Sequence, residues 1–206
     1  MPAGDIKILE KVITAIADIT DDFVVLSTHD DVDVVVLKEH KLKVMEALEA
    51  YGFRGEVCGS SYRSNDPKCL YGAEMPIQYR DSKGCHVDLQ TGLNYNGIQP
   101  NTLVPIDDKF QKYAIDTKVK TDDFRKYELS PEANVVHTVC RIIYDKRTVP
   151  PHYKERLDKN ITNCDADKLK HAFSMALFKF GDRAFELVME RKSDVMFQEY
   201  ISYADY

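Results

Sequence analysis

The chain has no run of apolar residues longer than about five, against the roughly 20 that a membrane-crossing helix needs. It carries no Pro/Ser/Gly-rich tract, no low-complexity run and no internal repeat, so neither a disordered chain nor a solenoid is expected. Its five cysteines (Cys58, Cys69, Cys85, Cys140 and Cys164) include no C-x-x-C pair. An odd number of widely spaced thiols argues against a disulfide framework or a zinc site and for reduced cysteines. There is no excess of basic charge: the net charge is −6. That argues against an extended nucleic-acid footprint, though not against a nucleotide. The N-terminal Met-Pro-Ala-Gly-Asp lacks the basic and apolar regions of a signal peptide, and a cytoplasmic location is the expectation. No glycine occurs between Gly4 and Gly52, an absence that bears on function below.

The 206 residues are enough for one good-sized core, or for a domain with a helical appendage. Residues 5–18 show a helical stripe of Ile6, Leu9, Val12, Ile13 and Ile16. Strands are expected at Phe23–Leu26 and Val34–Leu37. A helix over 39–51, with Leu42, Met45, Leu48 and Tyr51 on one face, stops at Gly52. Between 53 and 107, short β-prone runs alternate with turn signals, and Asp81-Ser82-Lys83-Gly84 reads as a hairpin turn. Residues 107–129 are charged and give no clear pattern. Ser130-Pro131-Glu132 is a strong helix start, with an N-cap serine, proline at the first position and an acid against the dipole. Helices are then expected to Pro150-Pro151, over 152–162, over 165–178 and over 182–191. The expected architecture is α+β: an α/β core over residues 1–128 and a helical domain over 129–206.

Chemistry concentrates in "THDDVDVVVLKEH", residues 28–40. Side chains two apart in a strand share a face, so Asp31 and Asp33 project together beside a buried strand. Paired carboxylates repel unless a cation offsets them, and hard oxygen donors favour Mg²⁺. The spacing alone is weak evidence, since roughly five or six acid-x-acid pairs are expected by chance in this composition. Its context sharpens it. The strand feeds an amphipathic helix, and a third acid, Asp88, follows in "CHVDL". If the two strands pair, Asp88 completes a three-carboxylate cluster of the kind that holds two metal ions for phosphoryl chemistry.

Those residues carry a resemblance. "DDVDVVVLKEHKLKVMEALEAYGF" followed by "CHVDL" resembles the core of the polymerase-β-like nucleotidyltransferases. "LSPEANVVHTVCRIIYDKR" is similar to the helical segment that follows that core in small nucleotidyltransferases, and "HDDVD" to aminoglycoside- and lincosamide-type enzymes. The resemblance spans roughly residues 23–145. It implies a nucleotidyltransferase-type mixed sheet flanked by helices, followed by a helical bundle. It implies Asp31, Asp33 and Asp88 as ligands of Mg²⁺ (or Mn²⁺), with Asp88 also the general base toward an acceptor hydroxyl. ATP or another nucleoside triphosphate would then give up its nucleoside monophosphate to a small molecule or protein, releasing pyrophosphate. The family's pattern places a Gly-Ser turn about ten residues before the first Asp. Here Ser27-Thr28 stand directly before the motif without a glycine, so either they serve as a reduced phosphate loop or the phosphate-holding role is gone. The alternative is a catalytically silent nucleotide-binding or regulatory module. A weaker likeness of "HVDLQTG" to alarmone synthetases does not extend to Asp31-x-Asp33.

Elsewhere the expectations are structural. His29 and His86 flank the acids as local hydrogen-bonders, and His137 reads as a packed histidine. Arg141, Asp145 and Lys146 read as a solvated, salt-bridged helix face, and Lys154 and Arg156 as similar surface charges. Arg63 and Lys68 lie in a polar loop. A homodimer through the helical half is compatible with the pattern.

Overall fold

The computed structural model describes residues 3–27, 32–57, 71, 73–74, 76–80, 86–98 and 102–204. Thr28, His29, Asp30, Asp31, Arg63, Lys68 and the cysteines Cys58, Cys69 and Cys85 lie outside the described residues, as does the turn expected at 81–84. The fold is mixed α+β. Two compact units divide it, one comprising residues 1–94, 103–105 and 118–129, the other 95–102, 106–117 and 130–206. None of the described helices is long and apolar enough to cross a membrane.

The first unit is built on a seven-stranded mixed sheet. Its elements are α1 (Ala3–Ala17), β1 (Phe23–Ser27), β2 (Val32–Val36), α2 (Lys41–Ala50), β3 (Arg54–Val57), β4 (Ile77–Arg80) and β5 (His86–Gln90). The short strands β6 (Asn94–Asn96) and β7 (Leu103–Pro105) and helix α3 (Asp108–Asp116) follow. The strands β8 (Val119–Lys120) and β9 (Tyr127–Glu128) then return to the first unit, giving the order β3-β4-β5-β2-β1-β9-β8. The pairs β2–β5 and β1–β9 are parallel, and β1–β2, β3–β4, β4–β5 and β8–β9 are antiparallel.

The core follows from the alternation of strand side chains. Val32, Val34 and Val36 of β2, Val87 and Leu89 of β5, and Ile77 and Tyr79 of β4 share one buried face. Leu9, Val12, Ile13 and Ile16 of α1, and Val44 and Leu48 of α2, pack into the same core. The helical face expected over 39–51 is shifted. Leu42 is 70% exposed and Tyr51 sits at the surface, while Val44 and Leu48 are fully buried. A 3₁₀ turn over Lys38–His40 precedes α2. Helix α2 ends as a Schellman motif: Gly52 N–H donates to Glu49 O and Phe53 N–H to Leu48 O. Gly52 holds a φ of +89°, which is where the stop expected from its glycine comes from.

One ion network lies beyond the ends of β2 and β5. The Glu74 carboxylate accepts from Lys41 Nζ at 2.5 Å, Lys38 Nζ at 2.8 Å and Thr91 Oγ1 at 2.8 Å. Burial pushes its pKa up, but the three hydrogen bonds outweigh burial and bring it down from 4.5 to about 2. A depressed carboxylate stabilises the fold above its unfolded pKa and loses that contribution as pH falls toward the folded value. Glu74→Gln is therefore expected to cost about 2 kcal/mol at neutral pH. Urea titrations of both proteins from pH 7 to pH 2.5 should show the gap closing below pH 4.5.

The second unit is helical apart from the segment 95–102, which carries the end of β6. Its longer elements are α4 (Pro131–Cys140), α5 (Pro151–Ile161), α6 (Ala166–Leu177), α7 (Gly181–Met189) and α8 (Met196–Ala204), with α3 packed on α6. Ser130 caps α4, its Oγ accepting from Ala133 N–H, and Asp165 caps α6, accepting from Asp167 and Lys168 N–H. Nearly every residue of α4 is buried, which marks it as the central helix of this unit. It runs on into a π-helical stretch, Arg141–Lys146, closed by Arg147 in the left-handed conformation. The break expected at Gly181 falls earlier, at Phe178, whose φ of +48° ends α6, while Gly181 is itself helical and its lack of a side chain is a matter of packing. A Cβ on Gly181 would lie 2.7 Å from the Phe173 carbonyl oxygen on α6. Backbone cannot yield as a side-chain tip does, so Gly181→Ala is expected to destabilise by about 2 kcal/mol. Thermal unfolding monitored by circular dichroism checks this.

Candidate functional site

The candidate site starts from the pairing of β2 with β5. The two strands run parallel in register, with Val32 opposite Val87, Asp33 opposite Asp88 and Val34 opposite Leu89. Valine and leucine enter the core, so the pleat turns Asp33 and Asp88 to the other face of the sheet, both half-buried. Adjacent strands lie roughly 4.8 Å apart, so the two carboxylates stand side by side on one surface. Asp88 Oδ1 is shielded from solvent.

The strands differ from the expected bounds in a way that matters. β2 begins at Val32 rather than Val34, so Asp33 is inside the strand and not at its mouth. Asp88 is likewise the middle residue of β5. Both acids are consequently fixed by ladder hydrogen bonds on either side. Like charges directly opposite one another on a sheet repel, and a bound cation is one way to offset this.

Ser27 closes β1 and is the cross-strand partner of Asp33. The register slips between Val25 and Ser27, a β-bulge that brings the end of β1 to the acidic position. On the other side, Gln78 of β4 is the partner of Asp88. One row of the sheet thus reads Ser27, Asp33, Asp88, Gln78 across β1, β2, β5 and β4. Asp31 and Thr28, expected beside this row, lie outside the described residues. Among the described residues, no group of three or more His, Cys, Asp or Glu could hold a metal ion. Two carboxylates of this row are hard oxygen donors suited to Mg²⁺, and a third donor would have to come from outside the described set.

The cations considered beside the acids are engaged elsewhere. Arg141 pairs with Asp145 at 3.2 Å, Lys154 with Asp194 at 2.8 Å, and Arg156 Nε donates to Asn134 Oδ1 at 2.7 Å, all within the second unit. Asp145 is not the solvated charge expected of it. Its side chain is 14% exposed and accepts from the Asn96 backbone and side-chain amides at 2.9 and 3.0 Å, tying the turn after Tyr95 to the π-helical stretch. His137 is buried and bonded to the Tyr95 hydroxyl at 2.6 Å, a packed histidine as its sequence context implies. Cys140 is buried and Cys164 half-buried, both as free thiols.

Gln78 was not singled out from sequence, nor were two arginines on the same face. Arg80 follows Gln78 by one pleat on β4, and Arg54 of β3 is the cross-strand partner of Arg80. Both are exposed. Their placement follows from register alone, since β4 and β5 pair antiparallel with Arg80 opposite His86 and Gln78 opposite Asp88. No protein-family model matches the chain, and no curated protein matches its sequence.

Proposed function

We propose that the protein is a Mg²⁺-dependent nucleotidyltransferase, moving a nucleoside monophosphate from a nucleoside triphosphate to a hydroxyl or phosphate of an acceptor. The observation that carries this reading is the in-register pairing of Asp33 with Asp88 on one face of a mixed sheet. It joins the two motifs on which the resemblance to polymerase-β-like enzymes rests. Asp31, Asp33 and Asp88 would hold the metal, which supplies charge neutralisation at the phosphates and lowers the pKa of the attacking group. Asp88 accepts the acceptor's proton as the acceptor oxygen bonds to the α-phosphorus. The bond from that phosphorus to the β-bridging oxygen breaks, and pyrophosphate leaves. Ser27, beside Asp33 on the bulged end of β1, and Thr28 after it are the groups available to the triphosphate.

A second reading, a nucleotide-binding module without transfer, is favoured by one observation. Close approach of backbone N–H groups to phosphate usually requires glycine, and none lies between Gly4 and Gly52. A labelled nucleoside triphosphate screen against cell extract in Mg²⁺ and Mn²⁺ separates the two. Label transfer with pyrophosphate release supports the enzyme. Saturable Mg²⁺-nucleotide binding without release supports the module, and no nucleotide binding overturns both.

A further inference from the structure

Asp88 stands between two glutamines. Gln78 of β4 is its cross-strand partner, and Gln90 follows it by one pleat on β5, opposite Val35. Their face is fixed by their neighbours. Ile77, Tyr79, Val87 and Leu89 are all buried in the core, so the alternation turns Gln78, Asp88 and Gln90 to the other side of the sheet. Across an antiparallel pair the Cβ atoms of Gln78 and Asp88 lie about 5 Å apart, and the diagonal from Gln78 to Gln90 is roughly 7–8 Å. Both glutamines are half-buried, and among the described residues neither carboxamide has a hydrogen-bond partner. Neither amide is spent on the carboxylate between them.

In the nucleotidyl-transfer reading Asp88 accepts the proton of the attacking hydroxyl. On the row that crosses the strands, Asp33 lies on one side of Asp88 and Gln78 on the other. The parts of the acceptor next to its reacting hydroxyl therefore lie over β4 and along β5, where the two carboxamides stand. A carboxamide is neutral and offers one acceptor oxygen and two N–H donors. Its complement is a neutral group that both donates and accepts, as a hydroxyl does. The charges nearby select neither an anion nor a cation. On the same face the register sets Arg54 opposite Arg80 and, one pleat away, Glu56 opposite Gln78, and Arg80 has a partner of its own.

We infer that Gln78 and Gln90 bind the acceptor, and that the acceptor is a polyhydroxylated small molecule whose hydroxyls beside the reacting one bond to these two side chains. The assignment of this polyol as acceptor rests on the nucleotidyl-transfer reading.

The test follows the side-chain amide signals of Gln78 and Gln90 by nuclear magnetic resonance in the full chain, assigned by their loss in Gln78→Met and Gln90→Met. Each variant is checked for folding by circular dichroism. The probe is myo-inositol, with cyclohexanol as the control that carries a single hydroxyl. Both amide signals are expected to move saturably with myo-inositol and not with cyclohexanol, and each methionine variant to weaken binding about fivefold, the loss of one neutral hydrogen bond. Amide signals that do not move, an equal response to cyclohexanol, or unchanged affinity in either variant overturns the inference. Adenosine is a second probe, because its ribose also carries adjacent hydroxyls. Binding of adenosine without binding of myo-inositol overturns the assignment to a small polyol in favour of a ribose end. Calorimetric titration of Mg²⁺-ATP into the wild type and Asp33→Asn reports on the transfer reading itself. Equal affinity there removes the metal site, and with it the polyol's role as acceptor, whereas a failure confined to myo-inositol leaves the metal site standing.

Discussion

Asp88→Asn is expected to abolish nucleotidyl transfer, by a factor on the order of 10³ or more, while leaving the unfolding midpoint nearly unchanged. Asparagine has the shape of aspartate and can occupy the middle of β5 between Val87 and Leu89 without disturbing the core face. What it lacks is the negative charge and the ability to take a proton. In the proposed reaction Asp88 supplies both, so the loss should appear in kcat rather than in KM. Asp33→Asn removes a donor but not the base, and its defect should be partly relieved by raising Mg²⁺ or substituting Mn²⁺. Steady-state rates over a range of Mg²⁺ concentration, with chemical denaturation of the same proteins, measure all of this. Wild-type turnover by Asp88→Asn would remove the proposed mechanism.

The legible parts of this fold are those where a local signal and the tertiary environment agree. Ser130 caps the helix it announces, because capping is settled within four residues of chain. Strands β1 and β2 read correctly in kind because runs of valine buried on both faces have few other uses. Strands β8 and β9 did not: each has two residues, too short for any periodicity, and β9 is recruited by β1, far back along the chain, with β8 pairing only to β9. The face of α2 was only half legible: Leu48 is buried and Met45 packs against the core as their stripe implies, but Leu42 and Val44 offer competing stripes and the core takes Val44.

The same division holds within the candidate site. Asp33 and Asp88 are visible in sequence because each interrupts an apolar run. Their partners are not, since Gln78, Arg80 and Arg54 acquire meaning only through register. Glu74 was hidden for a related reason. Its partners Lys38, Lys41 and Thr91 are 36, 33 and 17 residues away, and it lies in a stretch of turns without a repeating pattern.

A second large effect is expected away from that site, at the pair Tyr95–His137. The histidine sits at the heart of α4 and its Nδ1 lies 2.6 Å from the tyrosine hydroxyl. Burial pushes the His137 pKa well below its usual value, and the cations Arg156 and Arg141 push it the same way. Burial likewise raises that of Tyr95 well above the ordinary range, with Cys140 and Asp145 adding to it. Both groups are therefore neutral, the tyrosine donates, and the histidine proton resides on Nε2. His137→Ala removes a buried ring and strands a buried hydroxyl, and is expected to cost about 3–5 kcal/mol. Tyr95→Phe, which strands only the acceptor, should cost about 1–3 kcal/mol. The pair also sets an acid limit on the fold. A histidine with a depressed native pKa is protonated in the unfolded chain first, so its contribution is complete above pH 6.5 and declines as pH falls below it. The decline attributable to His137 should approach about 1.4 kcal/mol per pH unit until the native group titrates. Subtracting the pH profile of His137→Gln from that of the wild type between pH 7.5 and pH 5 isolates the slope. A flat difference would mean that the native imidazole titrates like an unfolded one, and the assignment of a neutral histidine accepting from Tyr95 would then fail.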